Sequence, residues 1–207
     1  PLFVKPNRKV SVQDVKNAMR DHYENTPMAL DSANIGGGVY QMPYRPTPLS
    51  FKVDGKTYFN ERPISTQQTA FTFVSQLRSW LPREIGGITW FGNDDANMVA
   101  YTPVYCNNTV VPECYNTPGA DAVTFSDKNA FWVCNWVSNM VYPRYSQLFP
   151  ELQAVRDNLE ADYFARQAEV EKHALELYGS DKAAAVAYLN AYSNDKAQQM
   201  LAHWRDL

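Results

Sequence analysis

The chain lacks long hydrophobic runs, an excess of either charge, and most of the residues that staple or ligate. Its longest apolar stretches, such as Ala130–Cys134, are about five residues, whereas a helix needs about 20 to cross a bilayer. A membrane-spanning helix is therefore excluded, and no membrane is expected as a partner. Nineteen Lys and Arg stand against 22 Asp and Glu, for a net charge of −3. No clustered basic run exists to neutralise phosphates, which argues against a nucleic-acid partner. Only three Cys and three His are present, and none falls in Cys-x-x-Cys, His-x-x-x-His or His-Glu-x-x-His spacing, so a local zinc site has no support. The odd cysteine number argues against a disulfide scaffold. Cys106 and Cys114 nevertheless flank a short loop where a bridge is geometrically feasible, in an oxidising compartment only. Cys134 reads as a small apolar core thiol.

What is present suits a globular chain. The 207 residues fit one domain, or a small domain with a helical extension, and 45% apolar with 20% charged residues excludes disorder. Aromatics are high at 14%, which suits wide sheet faces or a stacking surface. The start at Pro1-Leu2-Phe3-Val4 has neither an initiator Met nor a signal-peptide pattern. The expectation is a piece of something larger, released by processing, proteolysis or deliberate truncation.

Ser11 with Asp14 three residues on is close to a capping box, and Val12, Val15, Met19 and Tyr23 follow at helical spacing up to Asn25-Thr26-Pro27. Arg20, Asp21, His22 and Glu24 are sequence neighbours, so they fan around the helix as a solvated or interface face. Gly36-Gly37-Gly38 has no strand-to-helix context and is no dinucleotide fingerprint. Asp54-Gly55 between alternating residues is a hairpin signal. Residues 64–105 read as the sheet core, with one strand near Phe71–Phe73. Ile88–Phe91 and Met98–Tyr101 are expected to pair around a turn. Asp94, Asp95 and Asn97 in that turn weakly resemble a calcium loop, but the twelfth-position acid and central Gly are missing, and tight turns favour these residues anyway. Ser126-Asp127 is expected to cap a helix through Val141, with Pro143 and Pro150 as punctuation. A long amphipathic pattern then reaches Gly179, and Ser180-Asp181 and Asn194-Asp195 suggest caps for two short helices.

This order, strands then helices, gives an α+β fold, with a sheet-rich part over 1–125 with one flanking helix and a helical region over 126–207. Three main strands and a hairpin make a small sheet, and two of the strands are apolar enough to need cover on both faces. Some strands of the parent sheet are expected outside these residues. Trp80, Trp90, Trp132 and Trp136 sit in apolar segments and read as core, and Arg78 as a surface or interface charge.

The stretch Val10–Val15, then Met19-Arg20-Asp21-His22-Tyr23-Glu24-Asn25-Thr26-Pro27, Asn60–Thr69, Trp90–Asn97, Tyr105-Cys106, Val111–Cys114 and Ala130–Trp132 resembles the bacterial cysteine dipeptidases with an N-terminal nucleophile. The resemblance covers about residues 5–150. It implies a portion of a four-layer αββα sandwich with a helical C-terminal extension, and hydrolysis of dipeptides by a cysteine made N-terminal by processing. No metal or organic cofactor is implied. That nucleophile is absent, since the chain begins with Pro1 and no internal cysteine has a free α-amine. The fragment alone is expected to be inactive and to need the N-terminal part of the same protein. A homo-oligomer, and a periplasmic, secreted or cytoplasmic location, stay open. Arg62 is the candidate for gripping a dipeptide carboxylate, with Ser65, Thr66 and Gln67 as further substrate-binding candidates; the same loop could instead fix strand register. The competing reading is a non-catalytic binding or partner-interaction module with an aromatic surface.

Overall fold

A computed structural model describes residues 3–31, 37–45, 50–59 and 62–207. Helix α1 spans Val12–Met19 and opens with a true capping box: the Asp14 amide donates to Ser11 Oγ (3.1 Å) and the Ser11 amide to Asp14 Oδ2 (2.8 Å). Strands β1 (Ser50–Val53) and β2 (Lys56–Phe59) form the expected hairpin, with Asp54 and Gly55 both at positive φ (49° and 74°). The main sheet is antiparallel in the order β3 (Phe71–Leu77), β4 (Gly87–Asn93), β5 (Thr102–Tyr105). The short helix α2 (Arg83–Gly86) lies between β3 and β4. Helices α3 (Ala130–Val141), α4 (Tyr145–Ser180) and α5 (Lys182–Asp206) follow, and α4 and α5 pack together with α5 against β5. The fold is α+β.

The sheet has two unlike faces. Register sets Val74 beside Trp90 and Ile88 beside Tyr105, and these side chains are buried under α1, α4 and α5, with the Trp90 ring 4.6 Å from that of Phe164. The opposite face carries Phe71, Phe73 and Leu77, exposed at 56%, 51% and 78%, beside Phe91, which pairs with Phe73. Alternation along β3 therefore puts apolar residues on a face left open over β3 among the described residues, whereas Tyr115 stands edge-on to Phe91 (4.9 Å) and hydrogen-bonds Thr102 (2.7 Å) over the β4–β5 side.

Several sequence expectations give way to tertiary demands. Met98–Tyr101 is not a strand: β4 pairs with β5, Phe91 opposite Thr102, and the segment between them is fully buried irregular chain. Gly92 is needed for this, because a Cβ there would stand 2.6 Å from Val99 Cγ2. Helix α3 is capped by Asn129, whose side chain accepts from the Trp132 amide (3.4 Å), not by Ser126-Asp127. Pro150 lies inside α4. Asp181 caps one long helix α5, accepting from the amides of Ala183 and Ala184 (2.8 and 3.1 Å). Asn194-Asp195 is mid-helix, because Asn194 Oδ1 is used to accept from the Glu113 amide (2.9 Å). The three cysteines are free; Cys106 is exposed while Cys114 and Cys134 are buried. Trp90 is core, but Trp80 and Trp136 are exposed. Arg78 is buried on Glu171 and the carbonyls of Ile85 and Gly86. Gly36, Pro46, Pro48, Asn60 and Glu61 lie outside the described residues.

Of the charges read as a solvated helix face, all of which follow the end of α1, two turn inward while Asp21 is half-buried and Glu24 exposed. Arg20 and His22 are buried, and Arg20 grips Glu160 of α4 with both terminal nitrogens (Nη1–Oε2 3.1 Å, Nη2–Oε1 2.6 Å). Lys16 is fully buried, its Nζ 3.6 Å from Glu160 Oε2 and 4.2 and 4.4 Å from the ring centres of Trp90 and Phe164. Nζ has no hydrogen-bond partner among the described residues. Burial lowers the Lys16 pKa to about 8, against the pull of Glu160. The unfolded chain then holds a proton that the folded one releases between about pH 8 and 10.5, so stability rises with pH across that window, by an amount on the order of 3 kcal/mol. Lys16→Met should flatten this rise, measured by denaturant titration from pH 7 to 10, and leave stability at pH 7 unchanged or higher. Arg20→Met, which strands Glu160, should lose about 3–5 kcal/mol.

Candidate functional site

β4 delivers Asn93, Asp94 and Asp95 to one end of the sheet. Asn93 closes the strand on the open face, paired with Phe71, and its Oδ1 is buried with no hydrogen-bond partner among the described residues. Asp94 then takes φ +85°, a left-handed conformation uncommon outside Gly, Asn and Asp. Both aspartates are fully buried. The Asp94 carboxylate accepts from the Asp95 amide (2.7 Å) and from Asn135 Nδ2 of α3 (2.9 Å). Burial nevertheless pushes its pKa up to about 6, although these two donors favour the charged form. Strain and charge burial meet at one residue, and such costs concentrate at functional sites.

Asp95 is held differently. Ser65 Oγ donates to one of its carboxylate oxygens and Tyr142 Oη to the other. The Asn97 amide donates to Ser65 Oγ in turn (3.2 Å). This pair of hydroxyl donors docks the 62–69 loop and the chain after α3 onto the β4 end. A second row of hydrogen bonds runs from Tyr44 Oη to Gln67 Oε1, from Gln67 Nε2 to Asn139 Oδ1 (2.5 Å), and from Asn139 Nδ2 to Asn135 Oδ1 (3.0 Å), reaching Asp94 through Asn135.

The four sequence candidates thus occupy different environments. Arg62 is exposed and forms no ion pair among the described residues, while its carbonyl accepts from Tyr23 Oη (3.3 Å). The Ser65 hydroxyl is buried on Asp95 and Gln67 is half-buried in the amide row. Thr66 is half-buried, its carbonyl accepting from the Thr69 amide (3.0 Å) in a turn that leads into β3. Asn93, Asn135 and Asn139 carry no site signal of their own in the sequence, and Asp94 does so only through the weak calcium-loop likeness that a turn explains better. The only local signal was three polar residues in succession after an apolar strand, and that is also how turns begin.

Among the described residues no group of three or more His, Cys, Asp or Glu converges to hold a metal. The internal thiols are poor nucleophiles where buried: desolvation raises the Cys114 pKa to about 12 and that of Cys134 well above its ordinary value. The exposed aromatics near α3 do not make a flat stacking platform, since the Phe125 ring stands at 71° and 75° to those of Trp132 and Trp136.

The family model for peptidase family C69 matches residues 1–158, and the chain belongs to that family. It is 26% identical over 182 residues to dipeptidase A of Lactobacillus helveticus, covering 87% of this chain and 34% of the relative. It is 25% identical over 202 residues to a probable dipeptidase of Latilactobacillus sakei, covering 95% and 36%. With a probable dipeptidase of Salmonella dublin it shares 30% identity over 108 residues, covering 51% and 19%. The chain spans about a third of the length of the first two curated relatives.

Because the folded Asp94 keeps a proton that the unfolded chain gives up between about pH 4 and 6, its contribution to stability falls as pH rises through that window. Asp94→Asn, which tolerates the same backbone, should remove that fall. It should raise stability at pH 7 by about 1–3 kcal/mol. Chemical denaturation at pH 4, 5, 6 and 7 checks both; a variant that is less stable at pH 7 would assign Asp94 a net structural role.

Proposed function

We propose that this chain is the C-terminal portion of a dipeptidase whose remaining portion lays a second sheet on the open face of β3, β4 and β5, completing an αββα sandwich. The observation that carries this reading is the row Phe71, Phe73 and Leu77, exposed on a sheet whose other face is fully covered. Apolar sheet faces of this kind are ordinarily buried against a partner layer. The length of the curated relatives leaves room for such a layer.

In this reading the nucleophile is an N-terminal cysteine on the missing portion. Its thiolate attacks the peptide carbonyl, with the chain's own α-amine as base. An acyl-enzyme forms, and water releases it. Asn93, at the end of β4 on the open face, is the group of this chain best placed to meet that cysteine. Asp94 and Asp95 set the turn behind it. Arg62 would take the dipeptide's carboxylate, with Ser65, Thr66 and Gln67 shaping the loop that presents it. The buried state of Cys114 and Cys134 supports a nucleophile from elsewhere.

The 207-residue chain should not hydrolyse dipeptides, whereas the full-length parent should; turnover by the chain alone refutes the division of labour. In the parent, Arg62→Ala should raise KM at least tenfold with little change in melting temperature, and a loss of stability with unchanged kinetics would make Arg62 structural. Phe73→Lys should shift the stability of the isolated chain by no more than about 0.5 kcal/mol. In the parent the same change should cost about 2 kcal/mol or more, by burying an unpaired charge between layers. Equal effects in the two proteins would mean that no layer covers this face.

A further inference from the structure

Three side-chain amides in a row connect the 62–69 loop to the turn behind Asn93, and their orientation is dictated from one end. A charged Asp94 offers only acceptors, so Asn135 must turn its Nδ2 toward it (2.9 Å). Asn135 Oδ1 then faces Asn139 and needs a donor, which Asn139 Nδ2 supplies (3.0 Å). The Asn135 carbonyl, one helical turn before Asn139, claims the same nitrogen (2.7 Å). Asn139 Oδ1 is left to accept from Gln67 Nε2 (2.5 Å), and Gln67 Oε1 to accept from Tyr44 Oη. Every donor in the row thus points toward one carboxylate. Hydrogen bonds aligned in this way polarise and strengthen one another.

Asp94 has little else to rest on. It also accepts from the Asp95 amide (2.7 Å), and no cation pairs with it among the described residues. The groups that face it are Asp95 in its own turn, Cys134, Asn135 and Ser138 of α3, and the Tyr44 hydroxyl. With a pKa of about 6, its charge is sensitive to the loss of a single donor. Protonation weakens the acceptor that its two N–H donors share, and so loosens the turn that follows Asn93. Tyr44 is buried, Gln67 and Asn135 are half-buried, and Asn139 is exposed. The row is therefore open to solvent at Asn139.

We propose that Gln67, Asn139 and Asn135 are positioning residues, coupling the 62–69 loop that carries Arg62 to the turn that places Asn93. One arrangement of the loop and one placement of Asn93 then go together, and Gln67 serves the reaction through Asn93 without touching substrate. The catalytic consequence rests on the dipeptidase reading. The coupling itself is a property of this chain.

NMR titration of the side-chain carboxyl carbons in the 207-residue chain tests the coupling, with the Asp94 signal identified by its loss in Asp94→Asn. Asn135→Leu, which removes the direct donor, should move the Asp94 titration up by about one pH unit. Asn139→Ala and Gln67→Leu do not touch Asp94, yet should move it the same way by about a third of a unit or more. Asn139 is exposed, so Asn139→Ala keeps the test decisive should Asn135→Leu fail to fold. An Asp94 titration unmoved in both Asn139→Ala and Gln67→Leu overturns the coupling. In the full-length parent, Asn135→Leu should lower kcat about threefold at pH 6.5 with KM nearly unchanged. The loss should vanish by pH 8.5, where Asp94 is charged in both proteins, and Asn139→Ala should follow in the same sense. An equal loss at both pH values would leave the row a merely structural part, and a rise in KM alone in Gln67→Leu would make Gln67 a substrate contact; either overturns the positioning role. A parent without dipeptide turnover at any pH refutes the dipeptidase reading instead, and the carboxyl titration still decides the coupling.

Discussion

The rest of the structure depends on one buried carboxylate. Glu160, midway along α4, holds Arg20 by two hydrogen bonds, attracts Lys16 at 3.6 Å and accepts from the Tyr101 amide at 2.7 Å. It thereby joins α1, the segment between β4 and β5, and the longest helix at one point. A lone buried charge of this kind would be prohibitive; here three donors from two other elements make it tolerable and fix where α1 can sit.

The same logic extends along residues 94–101. Four successive carbonyls, those of Ala96, Asn97, Met98 and Val99, accept from Arg20, Arg156, Trp204 and again Arg20. Buried irregular chain must find such partners, and in this protein they are long side chains from the helical layer. The arrangement frees β4 to end abruptly, which places Asn93 at the open face and turns Asp94 and Asp95 inward. The proposed catalytic edge and the helical scaffold are thus two consequences of one packing problem.

Membership of peptidase family C69 and the unlike sheet faces point the same way. One face is sealed by α1, α4 and α5 and stabilised by the burial of Val74, Ile88, Trp90 and Tyr105. The other leaves Phe71, Phe73 and Leu77 exposed along β3.

The sequence by itself determined what local chemistry can determine. The capping box at Ser11 and Asp14, the Asp54-Gly55 hairpin, the Asp181 cap, strands near Phe71–Phe73 and Ile88–Phe91, and the α+β order all follow from neighbours within a few positions. The family could be read too, from long peptides matched in order. Only the tertiary structure decided the rest. Arg20 and Arg78 looked like surface or interface charges because their partners, Glu160 and Glu171, lie more than 90 positions away. Met98–Tyr101 looked like a strand because buried irregular chain is as apolar as a buried strand, and Asn194 looked like a cap because its true partner is the Glu113 amide. Asp94 and Asp95 read as a turn, and they do form one. That their carboxylates point into the protein and not into water depends on donors from α3, from Tyr142 and from the 62–69 loop. No spacing rule links those elements, since long-range polar pairing has no period along the chain.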